Sequence, residues 1–109
     1  MSTRACIAIK LSTKNYKHVY CHFCPEHADL IKYFPTENNA NALINLGDLS
    51  YVEKDQVFAY HRDRGESKSK TAPRYSKDFN ALKRDARNMD GEHLFYFEDN
   101  EWQHEKLYN

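Results

Sequence analysis

The amino-acid sequence predicts an α+β fold, with a single-layer, mainly antiparallel sheet of about five strands and helices packed on one face. The order of the predicted elements, ββααβαββ, is typical of that layer arrangement. The length of 109 residues suits one domain over residues 1–109. A hydrophobic content of 40%, including 14% aromatic residues, is that of a globular chain.

Alternation of side chains predicts the first two strands. In residues 4–11 one face carries Ala5, Ile7, Ile9 and Leu11. A polar turn at residues 12–15 then leads to a second strand over residues 16–23, at hairpin distance. In that strand the predicted core face carries Val19, Cys21 and Phe23, and the other face carries His18, Tyr20 and His22.

Capping residues and helical spacing predict the helices. Pro25 suits the first turn of one helix, and Pro35 stops it. Thr36 caps a second short helix, and Gly47 takes the left-handed position after it, followed by a loop through residue 52. Ser76 caps the last helix, whose buried stripe is Phe79, Leu82, Ala86 and Met89.

The second half of the chain supplies the other strands. Residues 56–61 alternate as a third strand, residues 93–97 as a fourth and residues 101–107 as a fifth. Residues 63–75 lack apolar periodicity and contain glycine, proline, serine and lysine, so we expect a long mobile loop there.

Charge and cysteine content indicate the setting. The formal net charge is +0, which removes the bulk basic surface typical of nucleic-acid binders and the acidic surface of a DNA mimic. Three cysteines without a secretory signal predict reduced thiols in a cytosol. No apolar run approaches the roughly 18 residues that span a bilayer, so we expect no membrane partner.

Residues 21–27 invite a zinc site or a nucleophilic cysteine, and neither has a supporting motif. The zinc hypothesis would use Cys21, His22, Cys24 and His27. Neighbours on a strand point to opposite faces, so Cys21 and His22 do not suit one ion, and we predict no metal and no cofactor. For a Cys–His nucleophile, either His61 with Asp63 or His22 with Glu26 could supply the base and its orienting group on paper, which leaves a small enzyme as an open alternative.

The predicted binding residues lie at the ends of the second and third strands and in the loop beyond. Two arginines flanking a carboxylate can form either a salt-bridged strand end or a fork for a phosphate or a partner carboxylate. Aromatic side chains on the open sheet face, including Phe58, could stack nucleic-acid bases. The full set is Tyr20, His22, Tyr60, His61, Arg62, Asp63, Arg64, Lys68, Lys70 and Arg74.

We expect His22 and residues 61–65 to be neighbours. The two helices between the second and third strands are long enough for a parallel crossover, which would place both strand ends on one rim of the sheet. Antiparallel pairing would place them at opposite ends.

The sequence resembles small, largely uncharacterised proteins of tailed bacteriophages and prophages over about two-thirds of its length. The resemblance lies in Thr3-Arg4, Ile7-Ala8-Ile9-Lys10, Val19-Tyr20-Cys21-His22-Phe23, Pro25-Glu26-His27, Leu43-Ile44-Asn45-Leu46-Gly47-Asp48-Leu49-Ser50 and Ala59-Tyr60-His61-Arg62-Asp63-Arg64-Gly65-Glu66. Similar proteins tend to have an Asp-Gly-Tyr-type turn before the proline, and Cys24 stands there alone in this chain.

The resemblance implies an origin and a setting more than a mechanism. We expect a small binding protein in the cytoplasm of a bacterial host, which modulates a host protein or a defence complex and could act as an anti-CRISPR-like inhibitor. A nucleic-acid-binding module that uses the sheet aromatics and the basic loop is the alternative. The oligomeric state stays open.

Overall fold

A mixed sheet forms the centre of the molecule in the computed structural model, which describes residues 4–11 and 14–107. Within that part of the chain the strands are β1 (Ala5–Lys10), β2 (Tyr16–Phe23), β3 (Leu49–Glu53), β4 (Gln56–Ala59), β5 (Arg74–Ser76), β6 (His93–Glu98) and β7 (Glu101–Lys106). The helices are α1 (His27–Tyr33), α2 (Glu37–Asn45), α3 (Tyr60–Arg64), α4 (Lys68–Thr71) and α5 (Phe79–Asn88). Two residues of the predicted turn at 12–15, 12 and 13, lie outside the described residues.

The strands follow one another across the sheet in the order β4-β3-β2-β1-β6-β7, and β5 joins β2 off this path. The β1–β2, β2–β5, β3–β4 and β6–β7 pairs are antiparallel. The β1–β6 and β2–β3 pairs are parallel. β3 and β5 both pair with the same edge of β2, β5 along its first half and β3 along its second half.

The predicted fold class is therefore wrong in its sheet and in its layers. Within the described residues the sheet has seven strands of mixed direction, and five helices accompany it, in place of about five mainly antiparallel strands. Helices lie on both faces, because the two sets of side chains on β1 enter two separate cores. One core joins Ile7 and Ile9 to Leu43 and Ile44 of α2, and the other joins Cys6 and Ala8 to α5.

Two strands were missed because they carry weak sequence signals. β3 lies in the segment predicted as a loop, and its hairpin to β4 turns through Lys54 and Asp55, without the glycine or asparagine that normally marks such turns. Lys54 takes a left-handed φ of 57° there. β5 has three residues, too few for alternation to be visible.

The predicted mobile loop at residues 63–75 is also wrong. This segment contains the end of α3, all of α4 and the start of β5. The predicted third strand stops at Ala59, and the chain turns into α3 instead of continuing to residue 61.

Several predicted elements are confirmed. α2 begins with a capping box in which the Thr36 side chain accepts from the Asn39 backbone N–H, and Gly47 has the expected left-handed φ of 84°. α5, β6 and β7 also form where the periodicity places them. The N-cap of α5 is Asp78, whose carboxylate accepts from the Ala81 N–H, rather than the predicted Ser76.

Candidate functional site

The Arg62–Asp63 pair closes the outer edge of the sheet. Gln56 flanks the hairpin turn and pairs with β3. Because successive residues of an antiparallel strand turn their backbone N–H and C=O groups alternately toward and away from the partner strand, those of Val57 and Ala59 point away from the sheet. The Asp63 carboxylate accepts from the Ala59 N–H at 2.8 Å, and the Arg62 guanidinium donates to the Val57 carbonyl. The two side chains are themselves paired at 2.9 Å. These contacts match the salt-bridged strand end, the structural alternative for this motif.

The Arg62 hydrogen bond, and after it the Ala59 N–H, lower the pKa of the Asp63 carboxyl. A carboxyl whose folded pKa is depressed stabilises the fold above its ordinary pKa and loses that contribution as the pH falls. The edge closure is therefore intact at neutral pH and weakens in acid.

Asp48 holds together the place where β3 and β5 meet along β2. Its Oδ1 atom accepts from the Tyr20 N–H at 3.0 Å, in the gap between the two short partner strands. Arg74 of β5 binds the same carboxylate with both terminal nitrogens, and the Asp48 N–H donates to the Thr71 carbonyl at 2.7 Å. The predicted binding residue Arg74 thus forms an internal ion pair.

The sequence analysis expected the second strand, β2, to run parallel to the predicted third strand at residues 56–61, which is β4 in the structure. This expectation is wrong. β3 lies between β2 and β4, and β4 runs antiparallel to β3, so β2 and β4 have opposite directions. The His22 Nδ1 atom is hydrogen-bonded to the Tyr20 hydroxyl at 2.8 Å, whereas the His61 Nδ1 atom bonds to the Glu66 carbonyl at 2.7 Å. The two imidazoles do not share a contact among the described residues.

Tyr20 and Tyr60 nevertheless lie near each other. Burial raises the pKa of the Tyr20 hydroxyl, and the neighbouring Tyr60 hydroxyl adds to the increase. The guanidinium of Arg64 lies over the Tyr60 ring at 5.3 Å. Lys68 and Lys70 of α4 are exposed. Aromatic and basic groups from the predicted set therefore occur on neighbouring elements.

A partly exposed aromatic row crosses three adjacent strands. Phe23 pairs with Tyr51, and Tyr51 pairs with Phe58, so the row consists of Phe23, Tyr51 and Phe58. The Tyr51 and Phe58 rings stack at 4.4 Å, and His22 meets the Phe23 ring edge-on at 4.6 Å. Phe23 is 46% exposed and Phe58 is 39% exposed. The sequence prediction included Phe58 and missed Tyr51, which lies in the unpredicted strand β3. It assigned Phe23 to the core face, and the structure leaves that side chain exposed at the end of β2.

A pocket of about 560 Å³ lies between α5 and the strands β2 and β5. Its lining residues are His18, Tyr20, Asp48, Arg74, Tyr75, Asp85, Asn88 and Met89. His18 is buried on the face that the sequence prediction left open, because α5 covers that face. Burial lowers the pKa of its imidazole, more than the nearby Asp85 carboxylate raises it.

Three histidines that the sequence analysis did not group also come together. His93 and His104 of the β6–β7 hairpin are hydrogen-bonded at 2.8 Å, and the His27 ring lies 5.7 Å from that of His104. His27 Nε2 is bonded to the Trp102 carbonyl at 2.8 Å. Pairing of β6 with β7 decides this arrangement, and no local motif indicates it.

The cysteines are placed as packing residues. Cys21 belongs to the core on the α1 and α2 side, and His22 lies on the opposite face of β2. Burial raises the pKa of Cys24 well above its ordinary value, which disfavours the thiolate that a nucleophile needs. In residues 4–11 and 14–107 no group of three or more His, Cys, Asp or Glu side chains could hold a metal ion.

Comparison of the chain with protein-family models, with curated proteins and with solved structures gave no match. None of the helices described here is long and apolar enough to cross a membrane.

Proposed function

We propose that this chain is a bacteriophage-type binding protein that modulates a host protein, such as a defence complex, in the bacterial cytoplasm. The observation that carries the proposal is the aromatic row Phe23, Tyr51 and Phe58, in which both phenylalanines are exposed and Tyr51 is half-buried. Aromatic side chains dominate the binding energy of protein interfaces, and exposed aromatic side chains on adjacent strands are a typical docking feature.

The edge closure favours a particular way of binding. Because Arg62 and Asp63 occupy the outward backbone groups of β4, a partner cannot readily extend the sheet with a strand of its own. Side-chain packing on the aromatic row remains available. The balanced net charge of the chain agrees with recognition by a local surface rather than by long-range electrostatics.

A pull-down from bacterial host lysate tests the proposal. We expect the wild-type chain to retain a stoichiometric host protein, and the double variant Phe23→Ala, Phe58→Ala to lose it. Ile31→Ala is the matched control, because Ile31 is 49% exposed and lies on α1. Retention of the partner by the aromatic variant would contradict the assignment of this surface, and recovery of no host protein would contradict the function.

Nucleic-acid binding is the second candidate, and the same row favours it because stacked aromatic rings accept bases without sequence preference. Exposed cations on the helices that follow Phe58 include Arg64, Lys68 and Lys70. Fluorescence anisotropy with mixed single-stranded DNA and RNA should then show binding that weakens steeply with salt. A flat titration to high micromolar protein would exclude this candidate.

A further inference from the structure

The pocket between α5 and β2 contains a buried side chain without a partner. His18 is 1% exposed, and neither of its ring nitrogens has a hydrogen bond among the described residues. The carboxylate oxygen Asp85 Oδ2 lies 4.0 Å from Nε2, too far for a hydrogen bond. Buried polar groups in native proteins normally have a partner, so an unpaired imidazole at a pocket wall is a place where a ligand or an ordered water would gain a hydrogen bond.

The charges around the pocket leave one carboxylate available. Asp48 is neutralised by Arg74 through two guanidinium nitrogens. Asp85 accepts from the Ser76 hydroxyl through Oδ2, while its Oδ1 atom is 3.7 Å from Arg84 Nε, an exposed ion pair that contributes little. Among the charged side chains that line the pocket, Asp48 and Arg74 offset each other, and Asp85 supplies a carboxylate with remaining acceptor capacity.

The remaining walls are aromatic and polar. Tyr20 and Tyr75 line the pocket, and Tyr75 is 63% exposed, so its ring face is available. A neutral His18 ring has one acceptor nitrogen, and because both ring nitrogens are covered, a small side-chain movement must uncover it before it meets a ligand. A carboxylate, an imidazole acceptor and two phenol rings together match a planar cation with several N–H donors.

We infer that this pocket binds a guanidinium group, namely an arginine side chain presented by the partner protein. The inference rests on the proposed function, since it names the group by which the partner is recognised. A guanidinium is planar, stacks on aromatic faces and pairs with a carboxylate through two parallel hydrogen bonds. An anion would face the Asp85 carboxylate, and the described residues offer no metal-binding group.

Calorimetric titration of the full chain with N-acetyl-arginine amide tests the inference, with N-acetyl-citrulline amide as the neutral isostere. We expect saturable binding of the arginine compound and none of the citrulline compound. Asp85→Asn should weaken binding about ten- to hundredfold, the cost of losing a charge-assisted hydrogen bond. Asp55→Asn, the same change in the β3–β4 turn, should leave the affinity unaltered, because Asp55 does not line this pocket.

A second variant and a spectroscopic measurement protect the test against a folding defect. His18→Gln should also weaken binding, and in the wild-type chain the imidazole NMR signals of His18 should shift on titration. Equal binding of both compounds, no binding at millimolar ligand, or unchanged affinity in a folded Asp85→Asn variant would overturn the inference. If the variants do not fold, the comparison of arginine and citrulline on the wild-type chain decides.

The same experiment separates this inference from the proposed function. Free arginine that binds more tightly than the blocked compound would overturn the assignment to a partner side chain, because it would indicate a free amino acid as ligand. A pull-down without a host protein would contradict the proposed function, whereas the pocket chemistry is measured independently by the titration.

Discussion

Removal of the Asp48 carboxylate should destabilise the fold more than removal of its ionic partner Arg74. Asp48→Ala leaves the Tyr20 N–H without its acceptor in a partly buried gap between β3 and β5. It also removes the ion pair with Arg74. Arg74→Ala removes the ion pair but leaves the Tyr20 hydrogen bond in place.

The two losses differ in size because their surroundings differ. A hydrogen bond to a charged group is worth about 1.5–3 kcal/mol, and the Asp48 side chain is 13% exposed. The Arg74 side chain is 48% exposed, so solvent reduces the ion pair to about 0.2–1 kcal/mol. We expect a loss of about 2–4 kcal/mol for Asp48→Ala and about 0.2–1 kcal/mol for Arg74→Ala.

Urea unfolding of the wild type, both single variants and the double variant measures these free energies. With a mid-range slope of about 2 kcal/mol per molar urea, Asp48→Ala should lower the midpoint by roughly 1–2 M. Asp48→Asn serves as an intermediate case, because its amide oxygen can still accept from Tyr20. Equal losses for Asp48→Ala and Arg74→Ala, or a coupling energy above about 2 kcal/mol in the double-mutant cycle, would refute the reasoning.

The other predictions concern the sheet edge, the turn after α2 and the buried imidazole. Asp63→Ala should uncover the edge of β4 and cause concentration-dependent self-association, measured by light scattering. Glu101→Gln on β7 is the control, and it should stay monodisperse if the uncovered β4 edge is the cause. Gly47→Ala should cost at least about 1–3 kcal/mol for its left-handed backbone, and its Cβ would lie 2.4 Å from the carbonyl oxygen that ends α4; an unchanged melting temperature would contradict this. Burial lowers the pKa of His18, so the unfolded chain binds more protons, and stability should be complete above about pH 6.5 and fall as the pH falls below it. His93 and His104 act in the same direction, so the test is whether His18→Gln flattens the fall in urea midpoint between pH 7.5 and 5.5.

Local signals were sufficient for the elements that depend on neighbouring residues. Thr36 begins α2 because its side chain and that of Asn39 satisfy each other's backbone groups within one turn. Gly47 ends that helix region because its positive φ is accessible without a side-chain clash. The alternation of β6 and the spacing of α5 likewise reflect one buried face each.

One signal for the layers was present in the sequence and was misinterpreted. Residues 5–9 are apolar without interruption, Ala5, Cys6, Ile7, Ala8 and Ile9, and all of them are buried. A strand that is apolar on both faces is typical of the centre of a sheet covered on both sides. The expectation of one covered face rested on the large side chains Ile7 and Ile9. It did not count the small apolar residues Cys6 and Ala8 on the other face, which are equally buried.

The candidate site depended on contacts that sequence neighbours cannot specify. The sequence by itself determined the capped start of α2, the strands β6 and β7, and that the Arg62–Asp63 motif could close a strand end. Only the tertiary structure decided that β3 would lie between β2 and β4, and that α5 would bury His18. The physical reason is that strand order and helix placement follow from the burial of distant apolar surfaces, whereas caps and alternation are satisfied within a few residues.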